Sequence, residues 1–298
     1  MSSSESMTVS YLIVAAVVVS FLLMHINQRV ASPLLSIADR WLRWLVFTFG
    51  AAQLCVDFEL IDRPYPVLAG GFFLLWFLGE TLFNWLRISA LSVSPLPLFP
   101  HYELNLDGDE WPTQPRMLKL REWIRGAGFK QVQALKAEIG GGIHLRVSVF
   151  QNAAATVRLN VTFIPQAGGA ITVCFAAISI TAEGLRYLTD NLYVPFAGFY
   201  PESWFVERTP WRRSVRKLLA RHHARLAHAG ATPAPLLVDA LTDQNATQQE
   251  LDRLNTELGF LHSPPNREDL GKITHEGRYR VWKEIWMLNY LGRAMRYE

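Results

Sequence analysis

Between Met7 and Ile26 the chain reads MTVSYLIVAAVVVSFLLMHI, without one Asp, Glu, Lys or Arg. At about 1.5 Å per residue, a helix of this length matches the ~30 Å hydrocarbon layer of a bilayer. A second apolar stretch, Trp41 to Val56, is interrupted only by Arg43. A third, Pro66 to about Trp85, contains the pair Gly70-Gly71, which would permit close helix approach, and one ionisable residue, Glu80. The pattern predicts three transmembrane helices within residues 1–90. A cleaved signal peptide fits poorly, because Glu5 precedes the first apolar core and Asn27-Gln28-Arg29 follows it.

The pattern then changes character. Residues 91–115 hold five prolines and read as an extended connector. Helical spacing of Leu118, Trp123 and Ile124 predicts a helix over Met117–Gly126, ended by Gly126-Ala127-Gly128. Apolar and polar positions alternate with period two over Ile143–Val149 and Val157–Phe163, as in strands with one solvated face. Gln151–Ala154 suits the turn between them. A further strand is expected over Ile171–Ile180, set off by the turn Pro165–Gly169, and a fourth over Gly184–Tyr193. Helices are expected over Trp211–His228, Thr247–Leu261 and Tyr279–Met295. The fold class is therefore α+β. Three N-terminal transmembrane helices precede a cytoplasmic domain, residues 116–298, in which helices flank an antiparallel meander.

Composition supports this division. Only 18% of the residues are charged and 50% are hydrophobic, against about 25% charged in ordinary soluble chains, so a wholly soluble protein is excluded. Two distant cysteines, Cys55 and Cys174, exclude a disulfide framework and a four-ligand zinc site of cysteine and histidine. Arg29, Arg40 and Arg43 lie at the Trp41 end of the second span, and Arg87, Arg116, Lys119, Arg121 and Arg125 follow the third. The loop with Asp57, Glu59, Asp62 and Arg63 has no basic excess. The positive-inside rule then puts the N-terminus outside and the large domain in the cytoplasm, as in a bacterial inner membrane.

The candidate chemistry is mostly anion-binding. In TPWRRSVRKLLARHHARLAHAG, the residues Trp211, Val215, Leu218, Leu219, His222 and Leu226 share one helix face. Arg212, Arg213, Arg216, Lys217, Arg221 and Arg225 cover the rest and suit anionic lipid or an acidic partner. The same pattern also describes an ordinary core-facing helix with a solvated side. His144, Arg146, Asn160 and Arg158 are expected to cluster on the polar face of the first hairpin, where two guanidiniums suit a carboxylate or phosphate. Glu80 is expected to reach the headgroups or pair with Arg43, the alternative being a proton or ion path. Trp282, Ile285, Trp286 and Met287, among Arg278, Arg280, Lys283, Arg293 and Arg296, suit packing over a sheet face or lying on a bilayer.

Other motifs fail on spacing. Asn105–Glu110 begins like a calcium loop, but Glu110 stands at the glycine position and Arg116 at the final glutamate position. His222, His223 and His228 include no i,i+4 pair. Gly140-Gly141-Gly142 lacks a following helix start, and no nucleophile elbow or Walker loop occurs. No cofactor or metal is expected. The sequence reads as an integral membrane protein with a partner-binding cytoplasmic domain, an accessory or assembly subunit of a larger membrane complex. Its partners would be lipids and other membrane subunits, or a second copy, and not nucleic acid. A membrane-surface sensor of lipid or a small ligand is the alternative, and a membrane-tethered enzyme the third.

Overall fold

The computed structural model describes residues 3–30, 32–108, 111–140, 142–165 and 171–294. The described residues form an α+β structure with a mixed eight-stranded sheet and eight α-helices. The chain divides into two compact units, Met1–Ala90 with Val281–Arg293, and Leu91–Arg280 with Ala294–Glu298.

The first unit contains helix α1 (Ser3–Val30), helix α2 (Pro33–Asp57) and most of helix α3 (Tyr65–Val93). Pro33 stands in the first turn of α2, where its missing N–H leaves no hydrogen bond unmade. α1 and α2 run antiparallel: Ser20 Oγ donates to Asp39 Oδ1 at 2.6 Å and Asn27 Nδ2 to Ser36 Oγ at 2.7 Å. α2 and α3 are antiparallel too, with Ala52 and Cys55 buried against Leu68 and Ala69. Gly70 and Gly71 do not mediate this approach, because a Cβ at either would stand in open space.

Two helices, not the expected three, are long and apolar enough by composition to cross a membrane: Met7–Gln28 of α1 and Tyr65–Val93 of α3. α2 carries Asp39, Arg40, Arg43 and Asp57. The uncharged run between Arg43 and Asp57 covers only about 20 Å of helix. The rest of the first unit comes from the C-terminal segment. Helix α8 (His275–Trp286) passes into a π-helical turn, Met287–Leu291, closed by Gly292 at φ 64°.

In the second unit, helix α4 (Pro115–Gly126) precedes the sheet's central strands. Strands β2 (Phe129–Glu138), β3 (His144–Asn152), β4 (Arg158–Pro165), β5 (Ile171–Thr181) and β6 (Arg186–Asp190) form an antiparallel meander. β1 (Glu103–Leu104) pairs with β2, and β7 (Trp204–Arg208) runs parallel to β6. β8 (Pro233–Ala234) pairs with β5. Helix α5 (Val215–His228) follows β7, then helix α6 (Ala240–Glu257) and the short helix α7 (Arg267–Leu270). β2 and β7 were not resolved into strands by the sequence pattern. Residues 166–169 of the turn expected at Pro165–Gly169, and residues 109–110 at the end of Asn105–Glu110, lie outside the described residues.

Alternation along the strands builds two cores rather than one core and one solvated face. Phe150, Leu159, Val161, Phe163, Phe175 and Ala177 pack with Met117 and Ile124 of α4 and with Val215, Leu218 and Leu219 of α5. Leu135, Val147 and Val149 pack on the opposite face with Tyr102 and with Ala240 of α6. This corrects the expectation of a one-sided sheet. Each covered face takes polar strand residues out of solvent, so each must supply their hydrogen bonds.

Candidate functional site

Two groups of buried polar residues lie in the second unit, one on each sheet face. Under α6, Arg158 of β4 and Arg186 of β6 converge on one carboxylate. Arg158 Nη1 donates to Asp243 Oδ2 at 2.7 Å, Arg186 Nη2 donates to Asp243 Oδ1, and Arg158 Nη2 donates to Val238 O at 2.6 Å. Asp243 stands in the first turn of α6, where the helix dipole favours an anion. Asp239 caps that turn by accepting from the N–H groups of Leu241 and Thr242 at 3.1 Å each. Asn160 Nδ2 donates to Gln244 Oε1 at 3.2 Å, and Arg186 lies 4.9 Å over the ring of Trp204. Burial holds the Arg158 guanidinium below the usual arginine range, against the opposing attraction of Asp243. Asp190 and Arg208 form a second buried pair at 3.1 Å. The seam therefore clamps α6 to the sheet by charge and hydrogen bonds where apolar contact is sparse.

Under α5 the buried group is a directional chain. Arg225 Nη1 donates to Thr189 Oγ1 at 2.7 Å, and Thr189 Oγ1 lies 3.0 Å from His222 Nδ1. Ser179 Oγ donates to Thr156 O at 2.8 Å, so it accepts from His222 Nε2–H at 3.0 Å. Both ring nitrogens are thus used in the neutral form. Burial, reinforced by His223 and Arg225, pushes the His222 imidazole down to about 3. The arrangement suits a fixed structural bridge. Burial likewise raises the Cys174 thiol to about 11, which removes its nucleophilic form at neutral pH.

The six cations expected on the basic helix separate by role. α5 starts at Val215, four residues later than expected, because Thr209–Arg213 forms a turn in which Arg212 N donates to Thr209 O at 2.9 Å. Arg221 meets Glu207 of β7 at 2.7 and 2.8 Å, and Arg225 meets the same carboxylate at 3.1 Å. Glu207 was not anticipated. Arg216 and Lys217 are exposed and make no ion pair among the described residues, with Arg212 half-buried and Arg213 exposed at the same end. Partial desolvation and the neighbouring Arg116 lower the Arg213 guanidinium. The apolar stripe of α5 packs into the sheet core.

The expected cluster on the first hairpin does not form. β3 and β4 pair Arg146 with Phe163, and Gln151 with Arg158, so the two arginines point to opposite faces at opposite ends of the hairpin. His144 remains exposed at the start of β3, its Nδ1 3.1 Å from Gly142 O. No cluster of three or more His, Cys, Asp or Glu suited to a metal occurs among the described residues.

In the first unit, Glu80 pairs with Arg40 at 3.8 Å rather than with Arg43, which pairs with Asp39 at 3.0 Å. The C-terminal rings pack on α2 and α3, not on a sheet face. Trp286 stacks on Tyr290 with centroids 4.5 Å apart and lies 5.1 Å from Phe77, while Trp41 and Trp44 stack at 5.2 Å. Their spacing in sequence, far from residues 41–77, gave no sign of this. The chain matches no known protein family, and no curated protein or solved structure matches it either.

Proposed function

We propose that this chain is an integral membrane protein whose sheet-containing unit binds another component, making it an accessory or assembly subunit of a membrane complex. One observation carries the membrane part of this reading: the apolar faces of α1 and α3 are left uncovered. Leu12, Phe21 and Leu22 on α1, and Leu74, Leu78, Leu82 and Leu86 on α3, are all more than half exposed. A patch of that extent is stable in lipid or against a partner, not in water. If α1 and α3 cross a bilayer, α2 crosses as well, because it is antiparallel to both and joined to each by a short connector. Its charges are paired within the unit, as Asp39 with Ser20 and Arg43 and as Arg40 with Glu80.

Three crossings with the N-terminus outside fit the basic residues around them and a bacterial inner membrane. Alkaline carbonate washing tests the embedding: the chain is retained, and its release would overturn the reading. Labelling of intact cells with an impermeant maleimide tests the orientation. Asp62→Cys should react and Leu237→Cys should not; the reverse pattern would invert the topology. A second reading, recognition of anionic lipid, is favoured by the unpaired Arg216 and Lys217.

A further inference from the structure

Trp41 and Trp44 are one helical turn apart on α2, and Trp286 and Tyr290 one turn apart across the junction of α8 and its π-helical turn. Together with Phe77 of α3, these rings wall a groove of about 370 Å³, which Met287 and Leu291 complete. The volume falls within the usual range for a small-molecule site, about 300–1,000 Å³. The wall is fixed from within. Trp41 Nε1 donates to Tyr290 O at 3.0 Å and Trp44 Nε1 to Phe73 O at 3.2 Å, so neither ring offers its N–H to the groove. Such a lining recognises hydrocarbon, and Trp286 Nε1 is a buried donor without a partner among the described residues. Lys283 also lines the groove. It is exposed and has no ion pair among the described residues, unlike Arg40, which Glu80 offsets.

We propose that this groove is a lipid site, taking one acyl chain of an anionic phospholipid while Lys283 holds the headgroup phosphate. The proposal rests on the membrane reading above. Apolar tail and anionic head match the two parts of the site, and a preformed rigid wall keeps the ordering cost of binding low.

The test uses the full-length chain in phosphatidylcholine vesicles doped with phosphatidylglycerol that carries a photoreactive diazirine in its tail. After irradiation, adducts are mapped by peptide mass spectrometry. Adducts are expected at Trp41, Trp286 and Met287, and excess unlabelled phosphatidylglycerol should suppress them while sparing those on the outward faces of α1 and α3. A phosphatidylcholine probe should label the groove about five-fold less, the size of one basic contact with an anionic headgroup. Lys283→Gln should abolish this preference and Lys283→Arg should keep it. Labelling confined to the outward faces, or groove labelling that does not saturate, would overturn the lipid site and leave the membrane reading standing. Absence of labelling on α1 and α3 as well would overturn both.

Discussion

Arg158 on β4 and Asp243 on α6 meet at 2.7 Å across the covered face of the sheet, joining positions 85 residues apart in the chain. Arg186 shares the same carboxylate, so two buried cations depend on one anion. Asp243→Asn leaves both guanidiniums without a counter-charge and should destabilise the second unit by about 3–5 kcal/mol. Arg158→Met should cost less, since Arg186 retains the pair. Urea unfolding of the two variants, followed by fluorescence, checks the order.

The neutral His222 makes stability depend on pH. Its folded value, about 3, lies below the ordinary 6.5, so the unfolded chain binds the extra proton between these values. The contribution is fully present above about pH 6.5 and is lost as pH falls towards 3, at about 1.4 kcal/mol per pH unit. His222→Gln should flatten the pH dependence of the melting temperature over that window. An unchanged slope would mean that His222 titrates normally.

Gly277 in α8 lies against the backbone of Phe260, and a Cβ there would overlap the Phe260 carbonyl and approach Ile273 Cγ2 at 2.8 Å. The obstacle is backbone, which cannot rotate away. Gly277→Ala should therefore destabilise by about 1–3 kcal/mol, although alanine has the better helix propensity. Thermal unfolding distinguishes the two effects by sign.

Glu207 offsets Arg221 and Arg225 on the surface of α5. If α5 meets anionic lipid, Glu207→Gln should tighten binding to phosphatidylglycerol vesicles. Arg216→Gln with Lys217→Gln should weaken it by about ten-fold or more, with a steep salt dependence. Vesicle co-sedimentation at two salt concentrations reads both changes. Equal binding by all forms would remove α5 from the membrane surface.

What the sequence revealed depended on whether the signal was local. The length of the apolar runs showed α1 and α3, alternation showed β3 and β4, and the turn before it set off β5. β2 escaped because its register shifts between Gln131 and Gln133. Phe129 packs in the α5-side core and Leu135 in the α6-side core, although both are odd-numbered, so a period-two reading fails across the bulge. α6 begins at Ala240, seven residues before the expected start, because Asp239 caps it and polar side chains dock it, leaving little apolar period to read. The Arg158–Asp243–Arg186 seam, Glu207 and the aromatic groove all join distant segments. Residue type marked Arg158 and Arg225 as anion-seeking, but only the register determined that their anions lie within the chain.

The most direct test is native mass spectrometry of the protein extracted gently from its own membranes. The account predicts a complex in which this chain and at least one different protein occur in fixed ratio. A chain recovered only alone or as a homo-oligomer, from every mild extraction, would contradict it.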